Sequence, residues 1–336
     1  MGKFDNKTIS IYGLGSIGFN IGQALLKKNE QLVVNGFDIK EEKITIAKES
    51  NAISKQMKSY VDSIANSEII ILSVPTSSVY EILETIADQI SENTIVIDIC
   101  SSKRAISEWA DDLLPNNEII GIYPFITGDS ILSNNWGVIS YKTTRDHSTE
   151  WVNLLVNELE GMKINLDLSE HDSYIALTEA MPMIITSSLL GISNDSSSWK
   201  EVYKYFNNDD FKMFSSPLGN DPVKIFSSIS TNNDLLLEWI KLYISELVKI
   251  QKLLESNSED EIASIVRKTW EDRLKLINNI DPSLDSGENI IPSSSENILS
   301  LFIGSRAARF FSKSKEIDKD KSVSYTHLTL PTKLEV

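Results

Sequence analysis

Lys7-Thr-Ile-Ser-Ile-Tyr12, followed at once by Gly13-Leu-Gly-Ser-Ile-Gly18 and then by Phe19-Asn-Ile-Gly-Gln-Ala-Leu-Leu-Lys-Lys-Asn29, decides the fold. The first six residues alternate and are rich in β-branched side chains, which predicts a buried strand. The last eleven predict a helix. Between them each glycine has its own task. Gly13 permits a tight turn, Gly15 lets an anion approach the backbone, and Gly18 lets the helix pack closely on the strand. A helix starting here aims its free N–H groups and the positive end of its dipole at that anion. The stretch therefore predicts a pyrophosphate cradle made of Gly13, Leu14, Gly15, Ser16, Ile17 and Gly18. Alone the glycine pattern is weak; a strand before it and a helix after it make it specific.

Working outward, a second strand, Gln31-Leu-Val-Val-Asn-Gly-Phe-Asp38, ends in an acid at the expected distance beyond the glycines. Asp38 can accept both ribose hydroxyls of an adenosine, and its charge repels a 2′-phosphate, which favours NAD over NADP. Lys40 stands close enough to soften that preference. Ser67–Pro75 and Thr94–Cys100 are near-continuous apolar runs, as parallel strands covered on both faces require. Between them Val79, Ile82, Leu83, Ile86 and Ile90 fall on one helical face. The alternation predicts an α/β fold, a Rossmann-type doubly wound, mostly parallel sheet, with its ligand crevice at the carboxyl ends of the strands. That crevice gathers Val74, Pro75 and Thr76 for the dinucleotide, then Ser101 to Lys103 and Tyr123 to Gly128.

The totals narrow the rest. A chain of 336 residues suggests two domains, and 41% hydrophobic with 24% charged residues is ordinary for a soluble protein. The net charge of −16 argues against a nucleic-acid partner but leaves room for a small anionic substrate held by a local cation. One cysteine, Cys100, excludes an internal disulfide framework and a cysteine-rich metal site, and no metal is expected. No apolar run is read as long enough for a membrane helix and no leader as preceding the first strand, so a cytoplasmic location is expected.

Assembled, these motifs resemble the prephenate/arogenate dehydrogenases. The resemblance rests on Gly13–Gly18, Ser73-Val-Pro75, Asp98-Ile-Cys-Ser-Ser-Lys103, Gly121-Ile-Tyr-Pro124 and Glu170-His-Asp172, in the order and spacing of that family, from about Lys7 to at least Asp221. It implies an NAD(P)-dependent oxidative decarboxylation of a cyclohexadienol toward tyrosine, with an all-helical carboxyl domain that forms a homodimer. Ser101 and Lys103, just past a strand end, become candidate catalytic groups, and Lys103 also a substrate ligand.

Three segments depart from the family. Its loop reads Gly-x-His-Pro, the histidine acting as general base, but this chain has Tyr123. A phenol ionises near pH ~10 and is a poor base unless a cation lowers it. Tyr123 is then either a base activated by a neighbour such as Lys103 or an aromatic pocket wall. Where the family reads Ser-His-Leu-Pro-His, Glu179-Ala-Met-Pro-Met183 stands here, so Glu179 and Met183 take the substrate-facing positions. Lys212 keeps one cation in the segment before Asn220-Asp221-Pro222, and Ser216 occupies the place of a clamping arginine. His171 reads as a helix-start residue with a capping role, and His147 as part of an exposed turn. Two alternatives stay open: a same-fold oxidoreductase for another hydroxy or amino acid, and an NAD-binding regulator without turnover.

These readings divide the chain into a nucleotide-binding domain at 1–167, a helical substrate and dimerisation domain at 168–321, and a tail at 322–336. The helical part carries an apolar stripe of Leu236, Ile240, Tyr243, Leu247, Ile250 and Leu254, a capping box at Ser258-Glu-Asp-Glu261, a polar link at Ser283–Ser295 and a short helix at Leu299–Phe311. The tail's Val323-Ser-Tyr-Thr-His-Leu resembles a translated sequencing adapter. It is read as non-native, which leaves His327 without a role.

Overall fold

The computed structural model describes residues 4–278 and 280, apart from 65, 127, 129, 203, 204, 206–208 and 220. The link, the short helix and the tail anticipated after residue 282 lie outside the described residues.

Eight strands form one sheet among the described residues: β1 (Thr8–Tyr12), β2 (Val33–Phe37), β3 (Lys55–Gln56), β4 (Ile69–Leu72), β5 (Ile95–Asp98), β6 (Ile119–Phe125), β7 (Asn135–Ser140) and β8 (Met162–Asn165). Their order is β3-β2-β1-β4-β5-β6-β7-β8. Every pair is parallel except β6 with β7, where Tyr123 stands opposite Gly137. The interspersed helices are α1 (Ser16–Lys28), α2 (Glu41–Glu49), α3 (Tyr60–Ile64), α4 (Val79–Ile86), α5 (Arg104–Leu113) and α6 (Asp146–Glu158). The strand order reverses direction between β1 and β4, the place where a doubly wound sheet opens its crevice.

The isoleucine-rich strands are apolar throughout because both faces are covered. In β4, Ile69 and Ile71 join one core with Ile9, Ile11, Ile21 and Leu25. Ile70 and Leu72 point the other way, to Tyr12, Val79, Leu83 and Ile106. This period-two division between two helical layers is what buries all four β4 side chains.

Beyond β8 the chain is helical: α7 (Leu168–Ile175), α8 (Met181–Asp195), α9 (Ser197–Val202), α10 (Asp209–Phe214), α11 (Pro222–Ser230), α12 (Asn233–Glu255) and α13 (Glu259–Ile277). One turn of π-helix, Ala176–Ala180, joins α7 to α8. Ala176, Ala180, Met181 and Leu236 form a small third core with Ile229 and Trp239 packed on it. The chain divides by contacts into one compact unit ending at Glu246 and another from Leu247 onward.

Two expectations are corrected here. Leu168–Asp195 runs as one helix that is, by length and composition, apolar enough to cross a membrane, with a mean hydropathy of 1.6 over its best window. Scattered serine, threonine and acidic residues had hidden that run in the sequence. Two of its acids, Asp172 and Glu179, hydrogen-bond within the protein's own fold. Ser258 precedes α13, but its side chain caps no helix N–H and instead meets the Ser256 hydroxyl at 2.7 Å.

Candidate active site

The glycine turn takes the shape its residues demand. Gly13 has φ +89, where a side chain is strained, and an added Cβ would run into the Ser73 carbonyl. At Gly18 a Cβ would strike the Gly13 carbonyl, so only glycine lets α1 sit this close to the strand. Around Gly15 the space is open, with only the Lys43 ammonium 4.0 Å away. Gly15 is also the N-cap of α1; no side chain caps the helix there, and its first turn carries no acid. Open space, uncapped N–H groups and a helix amino end fit a dinucleotide pyrophosphate.

Asp38 closes the far side. Its Oδ2 accepts the Leu14 N–H at 2.8 Å and its Oδ1 the Lys40 N–H at 2.9 Å, while Lys43 approaches to 3.6 Å. The Leu14 side chain is buried, so this residue contributes backbone rather than surface. One continuous pocket runs from Asp38, Lys40 and Lys43 past Gly13, Gly15, Ser16 and Ile17 to Val74, Pro75, Ser101, Tyr123 and Glu179. The first turns of α11 complete it with Asp221, Val223, Lys224 and Ser227. Ser227 Oγ accepts the Ser77 N–H at 3.0 Å and so ties α11 to the loop after β4. Thr76 is buried behind the wall, its hydroxyl accepting the Ser102 N–H at 3.2 Å.

Lys103 is not in the pocket, and the expectation that it reaches nicotinamide or substrate is corrected. Its side chain is 0% exposed, with Nζ 2.7 Å from Asp98 Oδ2 and 3.1 Å from the Asp98 carbonyl. The same Asp98 oxygen accepts the Tyr141 hydroxyl at 2.6 Å, and Oδ1 accepts the Cys100 N–H at 2.6 Å. The Asp-to-Lys spacing of the motif therefore folds back on itself as an internal ion pair at the end of β5.

Tyr123, Ser101 and Glu179 do share one wall. The Tyr123 hydroxyl donates to Glu179 Oε1, and no cation among the described residues pairs with it. Burial pushes the phenol well above the ordinary tyrosine range, and the Glu179 charge and hydrogen bond push it the same way. A tyrosine activated by Lys103 is thereby excluded. Met183 is buried off the pocket wall, and Lys212 pairs with Asp209 at 3.2 Å on α10, away from it.

His171 caps nothing. Asp167 caps α7 through Ser169 N and Glu170 N, and His171 lies inside the helix, its ring centroid 5.2 Å from that of Tyr123. Asp172 does the capping that the Glu-His-Asp motif hides. It accepts the Lys103 N–H at 2.8 Å, the Arg104 N–H at 2.9 Å and the Ser102 hydroxyl at 3.2 Å, at the start of α5. Burial pushes the Asp172 carboxyl up, but the His171 bond and these N–H groups outweigh it and hold it below the usual range. His147 is exposed in the first turn of α6, accepting the Trp151 indole N–H at 3.1 Å. Asp98 opens the quoted motif but was given no role of its own, and Tyr141 was not singled out; the five-residue interval from Asp98 to Lys103 is the one signal of their pairing.

A mostly parallel sheet that reverses at the glycine turn, with the pocket described, is a nucleotide-binding fold of the Rossmann class. Residues 21–166 match the family described as "Prephenate dehydrogenase, nucleotide-binding domain", and residues 167–268 match "Prephenate dehydrogenase, dimerization domain". The chain belongs to the prephenate dehydrogenase family. It is 24% identical over 288 residues to the prephenate dehydrogenase of Bacillus subtilis (strain 168), covering 80% of this chain and 76% of that one. Among solved structures, prephenate dehydrogenase from A. aeolicus in complex with hydroxyphenyl propionate and NAD+ superposes with a TM-score of 0.73 at 17% identity, over 82% of this chain and 99% of that one. Synechocystis arogenate dehydrogenase gives a TM-score of 0.64 at 19% identity, over 80% and 99%. At those identities the structural likeness is one of fold.

Proposed function

We propose that this chain catalyses the NAD-dependent oxidative decarboxylation of a cyclohexadienol, prephenate or arogenate, toward tyrosine. The observation that carries the reading is the single pocket joining the Asp38 end, suited to a ribose, to a chemistry-bearing wall of Ser101, Tyr123 and Glu179. Gly13, Gly15, Ser16 and Ile17 hold the diphosphate, and Asp38 accepts the ribose hydroxyls and disfavours NADP. NAD bound there supplies a hydride acceptor. The Ser101 hydroxyl, 3.5 Å from that of Thr76, is free to turn toward a substrate oxygen. Lys224 is the cation on the α11 side of the pocket that can meet a substrate carboxylate.

The division of the chain near 167/168, a homodimer and a cytoplasmic location belong to the same reading. Exposed apolar residues on α12, among them Tyr243, Leu247, Ile250 and Leu254, support the dimer. A second reading, a same-fold oxidoreductase for a different hydroxy or amino acid, is favoured by one observation. Among the described residues lining the pocket there is no arginine, and Lys103 and Lys212 lie elsewhere.

The test is reduction of NAD by the purified full chain, offered prephenate and then arogenate. Turnover of either supports the family reaction. An NAD-binding protein that turns over neither, yet oxidises another member of a hydroxy-acid and amino-acid panel, favours the second reading.

A further inference from the structure

Tyr123 stands at the loop position where the resemblance implies an imidazole base, and it cannot serve alone, because burial and a neighbouring negative charge hold its proton on. Yet Tyr123 does not end in solvent. Its hydroxyl donates to Glu179 Oε1, and Oε2 of the same carboxylate is buried with no hydrogen-bond partner among the described residues. Glu179 reaches this position from the turn of π-helix at Ala176–Ala180, an irregularity that often marks functional sites. Both side chains line the pocket beside Ser101.

We propose that Tyr123 and Glu179 act as a two-residue proton relay that replaces the missing base. The proposal rests on the dehydrogenase reading above. NAD held by the glycine turn and Asp38 would supply the acceptor for the carbinol hydrogen and its electron pair. The substrate O–H proton passes to Tyr123 Oη while Tyr123 gives its own proton to Glu179, so the phenol is never ionised and the carboxylate ends as a neutral acid. When the ring's carboxylate departs as carbon dioxide, the bonding pair enters the ring and places negative charge on the former hydroxyl oxygen. The stored proton then returns along the same path. No proton is gained or lost over the cycle. Tyr123 is the catalytic residue, and Glu179 is a positioning residue that acts through it.

Other groups face the pair. From α7 the buried His171 ring stacks edge-on against Tyr123, with Nδ1 3.0 Å from Asp172 and Nε2 unpartnered among the described residues. Phe125 packs against Tyr123 from β6 itself, Cys100 and Ser101 line the wall from the end of β5, and Asp221 and Lys224 line it from α11. His171 is the rival base, but it is buried and does not line the pocket.

The experiment is steady-state kinetics of the full chain with NAD and whichever cyclohexadienol it oxidises. A positioned base contributes about 10²–10⁴-fold, so Glu179→Gln and Tyr123→Phe should each lower kcat by at least about 100-fold with KM little changed. The double variant should be no worse than either single one. The wild-type proton inventory should bow, reporting two protons in flight, and the bow should be lost in Glu179→Gln. Tyr123→His in the Glu179→Gln background should recover activity, because an imidazole accepts the proton directly and needs no relay. That recovery also shows that the glutamine variant folds. A Glu179→Gln kcat within about threefold of wild type overturns the relay, as does a loss found in His171→Asn but not in Glu179→Gln. Failure of the wild-type protein to oxidise either substrate overturns the dehydrogenase reading and the relay together.

Discussion

Lys103→Met separates a structural lysine from a substrate ligand. Methionine keeps most of the aliphatic volume, so the change is mainly the removal of one charge from a pair in which both side chains are 0% exposed. Breaking a buried pair by deleting one partner costs about 3–5 kcal/mol, because the other charge is left uncompensated. Asp98 would keep the Tyr141 hydroxyl and the Cys100 N–H, both at 2.6 Å, which places the loss at the low end, about 3 kcal/mol. Against a typical total of about 5–15 kcal/mol the variant still folds, with Tm lower by roughly 6–12 °C for a unit of this size. Equilibrium urea unfolding followed by circular dichroism is the assay, and the midpoint should fall at constant slope. Adding Asp98→Asn should recover most of the loss, since the stranded charge is gone. A change below about 1 kcal/mol accompanied by a raised KM would refute the reasoning and return Lys103 to the substrate pocket.

Gly13→Ala should cost at least about 1 kcal/mol from its positive φ alone and weaken NAD binding about tenfold or more by calorimetry, because the new methyl meets the Ser73 carbonyl. Asp172→Asn should remove about 1–2 kcal/mol by weakening the cap on α5, read as a lower urea midpoint. Asp172 is more acidic folded than unfolded, so its contribution is complete above the unfolded value of 3.8 and is lost as pH falls through the lower folded value. Asp234 behaves alike: its bidentate pair with Arg104 holds its carboxyl at about 2 against 3.8, so acid titration should erase that contribution between the two. At 65% exposure it is worth at most about 1 kcal/mol, and Asp234→Asn should move the acid midpoint only slightly. Asp38→Asn should weaken NAD and improve NADP, narrowing their ratio of dissociation constants by about tenfold or more.

The cofactor half was legible because its determinants are local. Strand, glycine turn, helix and terminal acid lie within Lys7–Asp38, and each glycine answers a backbone constraint visible in a short window. The β4 and β5 runs announced themselves by being apolar at every position. The substrate half was not legible, because its contacts are tertiary. The partner of Lys103 is shared with Tyr141, 38 positions later on the far side of a hairpin, whose hydroxyl donates to the same Asp98 oxygen. Glu179 could be placed in the pocket by its motif, but its bond to Tyr123 spans 56 positions, and periodicity does not encode such an approach. The motif Glu170-His-Asp172 was visible, but the capping role went to the wrong member, since nothing local says that Asp172 serves a different helix.

That cap bears on how such a protein can change. The amino end of α5, in the nucleotide-binding half, is completed by a side chain contributed 69 positions later, from the helical half. A fragment cut at the boundary between the halves would hold the sheet and the glycine turn but leave the first N–H groups of α5 open. The two halves are therefore not interchangeable cassettes. A graft of another helical half onto this nucleotide-binding half must bring an acid to the same spot to close the amino end of α5.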